Sequence, residues 1–203
     1  MTAPNRPIGR TDKWSLGYYP AYEKLAAAIG PHGRVLEVGV AYGGSLAMWQ
    51  ELFPEGLIVG VDKDPNAMWP EGTVKIYADQ ASEDMVTQAL AASAAGYDLI
   101  VDDGSHVGDL TNVTFGLLWP LVTPGGWYVI EDWTVSLVEP YASSGRFGGD
   151  AMLRLVQGFV AMLEPVRGAH DFTGQLALSP GTQVGELWYR FGQAMIRKGP
   201  VDE

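Results

Sequence analysis

Leu36-Glu37-Val38-Gly39-Val40-Ala41-Tyr42-Gly43-Gly44-Ser45 is the stretch on which the fold turns. An apolar strand over 34–39 runs into glycines and then into a helical stretch, 44–53, whose Leu46, Trp49, Leu52 and Phe53 share one face. Glycine lets the backbone turn tightly and lets a ligand approach it closely. The helix start offers free N–H groups to a carboxylate. Glu37 is placed to take up a cationic amino group or an ordered water, and Gly39, Tyr42, Gly43 and Ser45 are candidate ligand contacts. The spacing is not that of a dinucleotide site. Gly39 is followed by glycine at 43 and 44 rather than 41, so G-x-G-x-x-G is absent.

Outward from this turn, strands and helices alternate. Tyr18, Tyr22, Leu25, Ala26 and Ile29 fit one face of a helix over 18–29, broken by Gly30-Pro31-His32-Gly33. A second strand, Leu57–Val61, ends at Asp62, and a third covers 73–78. A helix over 82–95 precedes a fourth strand, 98–102. A helix over 109–121 is stopped by Pro124-Gly125-Gly126, and a fifth strand, 127–130, leads straight into Glu131-Asp132. Beyond Trp133 the pattern weakens to a helix over 150–163 and a closing antiparallel pair from 173–178 and 186–197. Continuous apolar strands alternating with helices predict a mostly parallel sheet covered on both faces. Ligands of such sheets sit beyond the carboxyl ends of the strands.

Bulk properties narrow the field. The 203 residues suit one domain, read as a polar arm over 1–17 and a single domain over 18–203. A formal net charge of -11 disfavours a nucleic-acid footprint, which needs clustered Lys and Arg. The lack of cysteine excludes disulfides, thiolate catalysis and Cys-ligated zinc. No apolar run reaches the length of a membrane span, so a cytoplasmic protein without membrane contact is expected.

Asp62 could be a mere helix cap, but an acid closing the second strand beyond such a turn also suits both hydroxyls of a ribose. With the turn and the acidic third-strand end Asp79-Gln80, the pattern resembles the class I S-adenosylmethionine-dependent methyltransferases over about residues 20–135. The resemblance implies an α/β, Rossmann-like fold: a mostly parallel seven-stranded sheet, helices on both faces and an antiparallel closing strand. It also implies S-adenosyl-L-methionine as cofactor, with Asp79 and Gln80 flanking the adenine and the fourth strand end, Asp102-Asp103, beside the cofactor.

In that fold the fourth and fifth strands are neighbours, which sets Asp103 beside Glu131 and Asp132. Crowded carboxylates repel unless a cation joins them, and an oxygen-rich set suits Mg2+. His106 lies three residues beyond Asp103, as a fourth ligand or as a general base. His32 and His170 lie in loop-like stretches without acidic clusters and read as surface or structural. Asp-Asp-Gly-Ser-His with a later Ile-Glu-Asp, and Thr11-Asp12-Lys13 with Gly17-Tyr18-Tyr19 and Tyr22, are similar to the metal-dependent sugar O-methyltransferases of macrolide and related antibiotic pathways. By that resemblance Asp103, Glu131 and Asp132 bind Mg2+, His106 is the base, the acceptor is a small molecule and the protein self-associates. A catechol or phenol acceptor fits the same metal chemistry, and a non-catalytic cofactor binder has no need of the base. The acceptor is expected against Tyr18, Tyr19, Trp133 and the glycine- and serine-rich loop 139–150, read either as a mobile lid or as plain surface.

Overall fold

The computed structural model describes residues 11–146, 148–161, 163 and 184–199. Among these, seven strands form one sheet: β1 (Arg34–Val38), β2 (Leu57–Asp62), β3 (Val74–Tyr77), β4 (Tyr97–Asp102), β5 (Val122–Glu131), β6 (Val184–Arg190) and β7 (Gln193–Lys198). Their order is β3-β2-β1-β4-β5-β7-β6. The first five run parallel, β7 pairs antiparallel with β5, and β6 closes the edge antiparallel to β7. The helices are α1 (Tyr19–Ile29), α2 (Gly44–Leu52), α3 (Glu83–Ala92), α4 (Gly108–Leu118) and α5 (Gly149–Ala161). This is the expected class I methyltransferase architecture.

Alternate strand residues feed two cores. Leu36, Val38, Ile100 and Ile130 pack with Met85, Phe115 and Phe159 from α3, α4 and α5. Val35, Leu99, Val101 and Val129 pack on the other face with Leu25, Leu46 and Trp49 from α1 and α2. Burial on both faces is why the strands read as continuous apolar runs rather than alternating ones. No helix among the described residues is long and apolar enough to cross a membrane.

Four expectations shift. The helix expected over 82–95 ends at Ala92, where Ser93 accepts the C-cap position and its hydroxyl donates to the Gly96 carbonyl at 2.8 Å. The helix expected to 121 gives way at Trp119 to a 3₁₀ turn containing Pro120, whose ring cannot donate an amide hydrogen bond. β5 starts at Val122, before the glycines expected to precede it, and an irregularity between Tyr97 and Leu99 on β4 absorbs the extra length. The closing pair forms within 184–198, turning at Phe191-Gly192 with Gly192 at φ +70°. Segment 173–178 lies outside the described residues.

The arm is the larger surprise. Thr11 caps a 3₁₀ turn over Asp12–Trp14, and that turn drives Lys13 into the interior, where it is fully buried.

Candidate active site

A cavity of about 410 Å³ opens at the carboxyl ends of β1, β2 and β4. Its wall holds Gly39, Tyr42, Ser45, Asp62, Gln80 and Asp103 among the expected cofactor contacts, together with Thr11 and Asp12 from the arm. The volume falls within the usual range for small-molecule sites, ~300–1,000 Å³.

Two glycines build the turn. At Gly39 the backbone has φ +92°, and a Cβ there would lie 2.1 Å from the Asp103 carbonyl oxygen. The end of β1 therefore passes directly against the segment leaving β4. Gly39→Ala is expected to lose roughly 1–3 kcal/mol from the backbone conformation alone, and more from the clash. Urea denaturation reads this directly, and an unchanged midpoint would contradict it. Gly43, at φ +73°, precedes α2, and a Cβ there would lie 2.3 Å from the Met68 carbonyl oxygen. It shapes the turn from behind rather than lining the cavity.

Asp62 fastens the same turn. Its Oδ2 accepts the Val40 and Ala41 amides at 2.8 and 3.0 Å, and its Oδ1 accepts the Asp64 amide at 2.8 Å. A carboxylate offers about four acceptor positions, so capacity remains for a hydroxyl. Ala41 is held at φ +45°, uncommon for a non-glycine residue.

Three other expected contacts lie outside the cavity wall. Asp79 is held by Lys63 at 3.2 Å and by the Ala81 amide at 3.0 Å, and these contacts, the amide first, lower its pKa. Asp102 turns into the core, accepting the Gly104 amide at 3.3 Å and the Tyr128 hydroxyl at 3.4 Å. Burial pushes its carboxyl up to about 7. Glu37 is fully buried, accepting the Trp49 indole N–H at 2.9 Å and facing the Lys13 ammonium at 3.2 Å.

Asp103, His106 and Asp132 come together: each offers a ligand atom, and these atoms lie within 4.8 Å of one another. His106 and Asp132 have φ of +57° and +50°. Left-handed backbone at non-glycine residues costs free energy and tends to gather at functional sites. The Tyr18 hydroxyl donates to Asp132 at 2.5 Å, holding one carboxylate oxygen. Two carboxylates with an adjoining imidazole fit a divalent cation that keeps open positions for substrate. Loop 139–150 reaches this group: Tyr141, in a 3₁₀ turn, sets its ring 6.0 Å from that of His106.

Glu131, expected as a third metal carboxylate, is engaged elsewhere. It is buried, accepts the Lys13 ammonium at 2.5 Å and accepts the Tyr22 hydroxyl. Lys13 also lies 2.8 Å from Asp103, so one ammonium joins the ends of β1, β4 and β5. Burial opposes the charge on Lys13, but Glu131, Glu37 and Asp103 outweigh it and hold the pKa well above its ordinary value. Burial likewise pushes the Glu37 and Glu131 carboxyls up, against the pull of Lys13. Sequence reasoning placed Lys13 in the Thr11-Asp12-Lys13 motif but gave it no role. The available signal was the excess of acids on adjoining strand ends, which demands a counter-charge from somewhere in the chain.

The proposed acceptor aromatics divide. Tyr18 is buried on Asp132, Tyr19 stacks on Trp14 at 3.5 Å, and Trp133 packs partly buried against the core. His32 is exposed beside Glu55, and His170 lies outside the described residues.

Residues 36–133 match a family model described as a methyltransferase domain. The 8-demethyl-8-(2-methoxy-alpha-L-rhamnosyl)-tetracenomycin-C 3'-O-methyltransferase of Streptomyces olivaceus is 39% identical, covering 95% of this chain and 52% of its own length. The demethylmacrocin O-methyltransferase of Streptomyces fradiae is 39% identical over 70% of this chain and 37% of its own length. The chain thus spans about half the length, or less, of these curated relatives. Among solved structures, the MycE methyltransferase from the mycinamycin biosynthetic pathway, in complex with Mg, SAH and mycinamycin VI, matches with a TM-score of 0.72 at 26% identity. That match covers 97% of this chain and 55% of that chain.

Proposed function

We propose, from the match of residues 36–133 to a methyltransferase domain, that the chain is an S-adenosylmethionine- and Mg2+-dependent O-methyltransferase acting on a sugar hydroxyl of a glycosylated natural product. One observation carries the reading. Asp103 stands both in the cavity wall and in the Asp103–His106–Asp132 group. A methyl donor in the cavity and an acceptor oxygen at that group would therefore meet. The sugar O-methyltransferases among the relatives support the acceptor class.

In this reading Asp62 receives the ribose, the turn from Gly39 to Ser45 takes the methionine end, and Gln80 lies on the adenine side. The cofactor supplies an electrophilic methyl group on its sulfonium, and Mg2+ supplies positive charge that lowers the pKa of a bound hydroxyl. Asp103 and Asp132 would hold the ion. Glu131, the third expected ligand, here accepts the Lys13 ammonium and would join them by exchanging that contact for the ion. His106 takes the proton from the acceptor hydroxyl. Transfer requires the methyl carbon and the acceptor oxygen to be held in line at near contact distance. The cysteine-free, acidic composition supports a cytoplasmic setting without nucleic-acid contact.

The test is product mass analysis with labelled cofactor across panels of glycosides and catechols, with and without Mg2+. Labelled methyl on a glycoside hydroxyl is expected. Transfer only to catechols would change the acceptor class, and no transfer to any hydroxyl would end the reading. EDTA is expected to abolish turnover, with added Mg2+ restoring it; full activity in the chelated protein would remove the metal.

A further inference from the structure

The methionine end of the cofactor carries a cationic α-amino group, which needs an acceptor in the cavity. Four carboxylates lie near enough to consider: Glu37, Asp62, Asp103 and Asp12. Glu37 is the one its place in the glycine turn suggests, but it is fully buried and absent from the cavity wall. The Lys13 ammonium already stands 3.2 Å from it. A second cation entering there would meet like charge at close range, which is costly away from water.

Asp62 is at the end of β2, on the ribose side, with its oxygens already accepting three amides at 2.8–3.0 Å. Asp103 gives one oxygen to Lys13 at 2.8 Å and faces His106 and Asp132. Asp12 is different. It lines the cavity, and among the described residues its side chain makes only a weak contact, with the neighbouring Thr11 hydroxyl at 3.5 Å. It is also held in place. Lys13, the next residue, passes through the wall and anchors on Glu37, Asp103 and Glu131, and the 3₁₀ turn carrying both packs against α2.

We infer that Asp12, rather than Glu37, receives the cationic α-amino group of the cofactor, and that Lys13 is the anchor that brings it there. This rests on the proposed use of S-adenosylmethionine. It makes the arm part of the cofactor site: Glu37 neutralises the anchor, and the anchor delivers a fresh carboxylate from the arm.

The test compares binding of two probes to the full chain by calorimetry: S-adenosylhomocysteine and its deaminated analogue, which keeps the carboxylate and lacks only the amino group. The wild-type protein is expected to prefer S-adenosylhomocysteine by about tenfold or more, the scale of one charge-assisted hydrogen bond. Asp12→Asn should remove most of that preference and leave affinity for the deaminated analogue unchanged. Glu37→Gln, where folded, should keep it. Preference retained in Asp12→Asn overturns the inference, and its loss in Glu37→Gln instead returns the role to Glu37. Failure of the wild-type protein to bind either probe would end the cofactor reading and the inference together, whereas binding without discrimination ends the inference alone.

Discussion

Lys13→Met is expected to destabilise the protein by about 3–5 kcal/mol, the scale seen when one partner of a buried ion pair is removed. Methionine keeps much of the length and volume of lysine, so the loss isolates charge from packing. Lys13 is fully buried, with its ammonium 2.5, 2.8 and 3.2 Å from Glu131, Asp103 and Glu37. Without it, the Glu37 and Glu131 carboxylates remain desolvated and uncompensated. Both must then take up protons or admit water, and either costs stability. Lys63 offers the contrast. Its pair with Asp79, at 3.2 Å, lies in solvent, with the two side chains 68% and 47% exposed. Lys63→Met should therefore shift stability by less than ~1 kcal/mol. Urea unfolding of both variants decides the matter. A Lys13→Met loss no greater than that of Lys63→Met would show that the ammonium does not hold the three acids.

His106→Ala is expected to lower turnover by roughly 10²–10⁴-fold, the usual contribution of a positioned general base, while leaving cofactor affinity intact. The residue is away from the cavity wall but within the three-residue group that includes Asp103. Proton transfer can therefore be lost without disturbing the cofactor. Because His106 has φ +57°, alanine adds a conformational cost of its own. His106→Asn separates the two effects, since asparagine tolerates the left-handed region. Both variants should be slow if the imidazole moves the proton. Turnover equal to wild type in either would take His106 out of the mechanism.

Much of the site was legible because strand ends in a parallel sheet are a predictable place. The apolar run through Leu36 and Val38 names β1, the glycines name the turn, and Asp62 follows as the end of the next strand. The nearness of Asp103 to Asp132 then follows from β4 and β5 being neighbours. Adjacent sequence positions face different neighbours where the backbone changes direction. Glu131 and Asp132 read as one pair of ligands. Yet Glu131 ends a strand whose alternation turns it toward Tyr22, while Asp132, at φ +50°, leaves the strand toward Asp103 and His106. The arm misled for a related reason. A lysine among polar turn formers looks solvated, and the resemblance that singled out Thr11-Asp12-Lys13 gave Lys13 no role.

The sequence by itself determined the five parallel strands, the helices between them and the end at which the cavity opens. These depend on apolar periodicity and turn chemistry, which act over a few residues. Only the tertiary structure decided which acids face the cavity, which gather around His106 and which are answered by Lys13. The contact of Lys13 with Glu131 spans 118 residues of chain. Coulombic attraction depends on distance in space, and the burial that strengthens it exists only once the strands have been brought together.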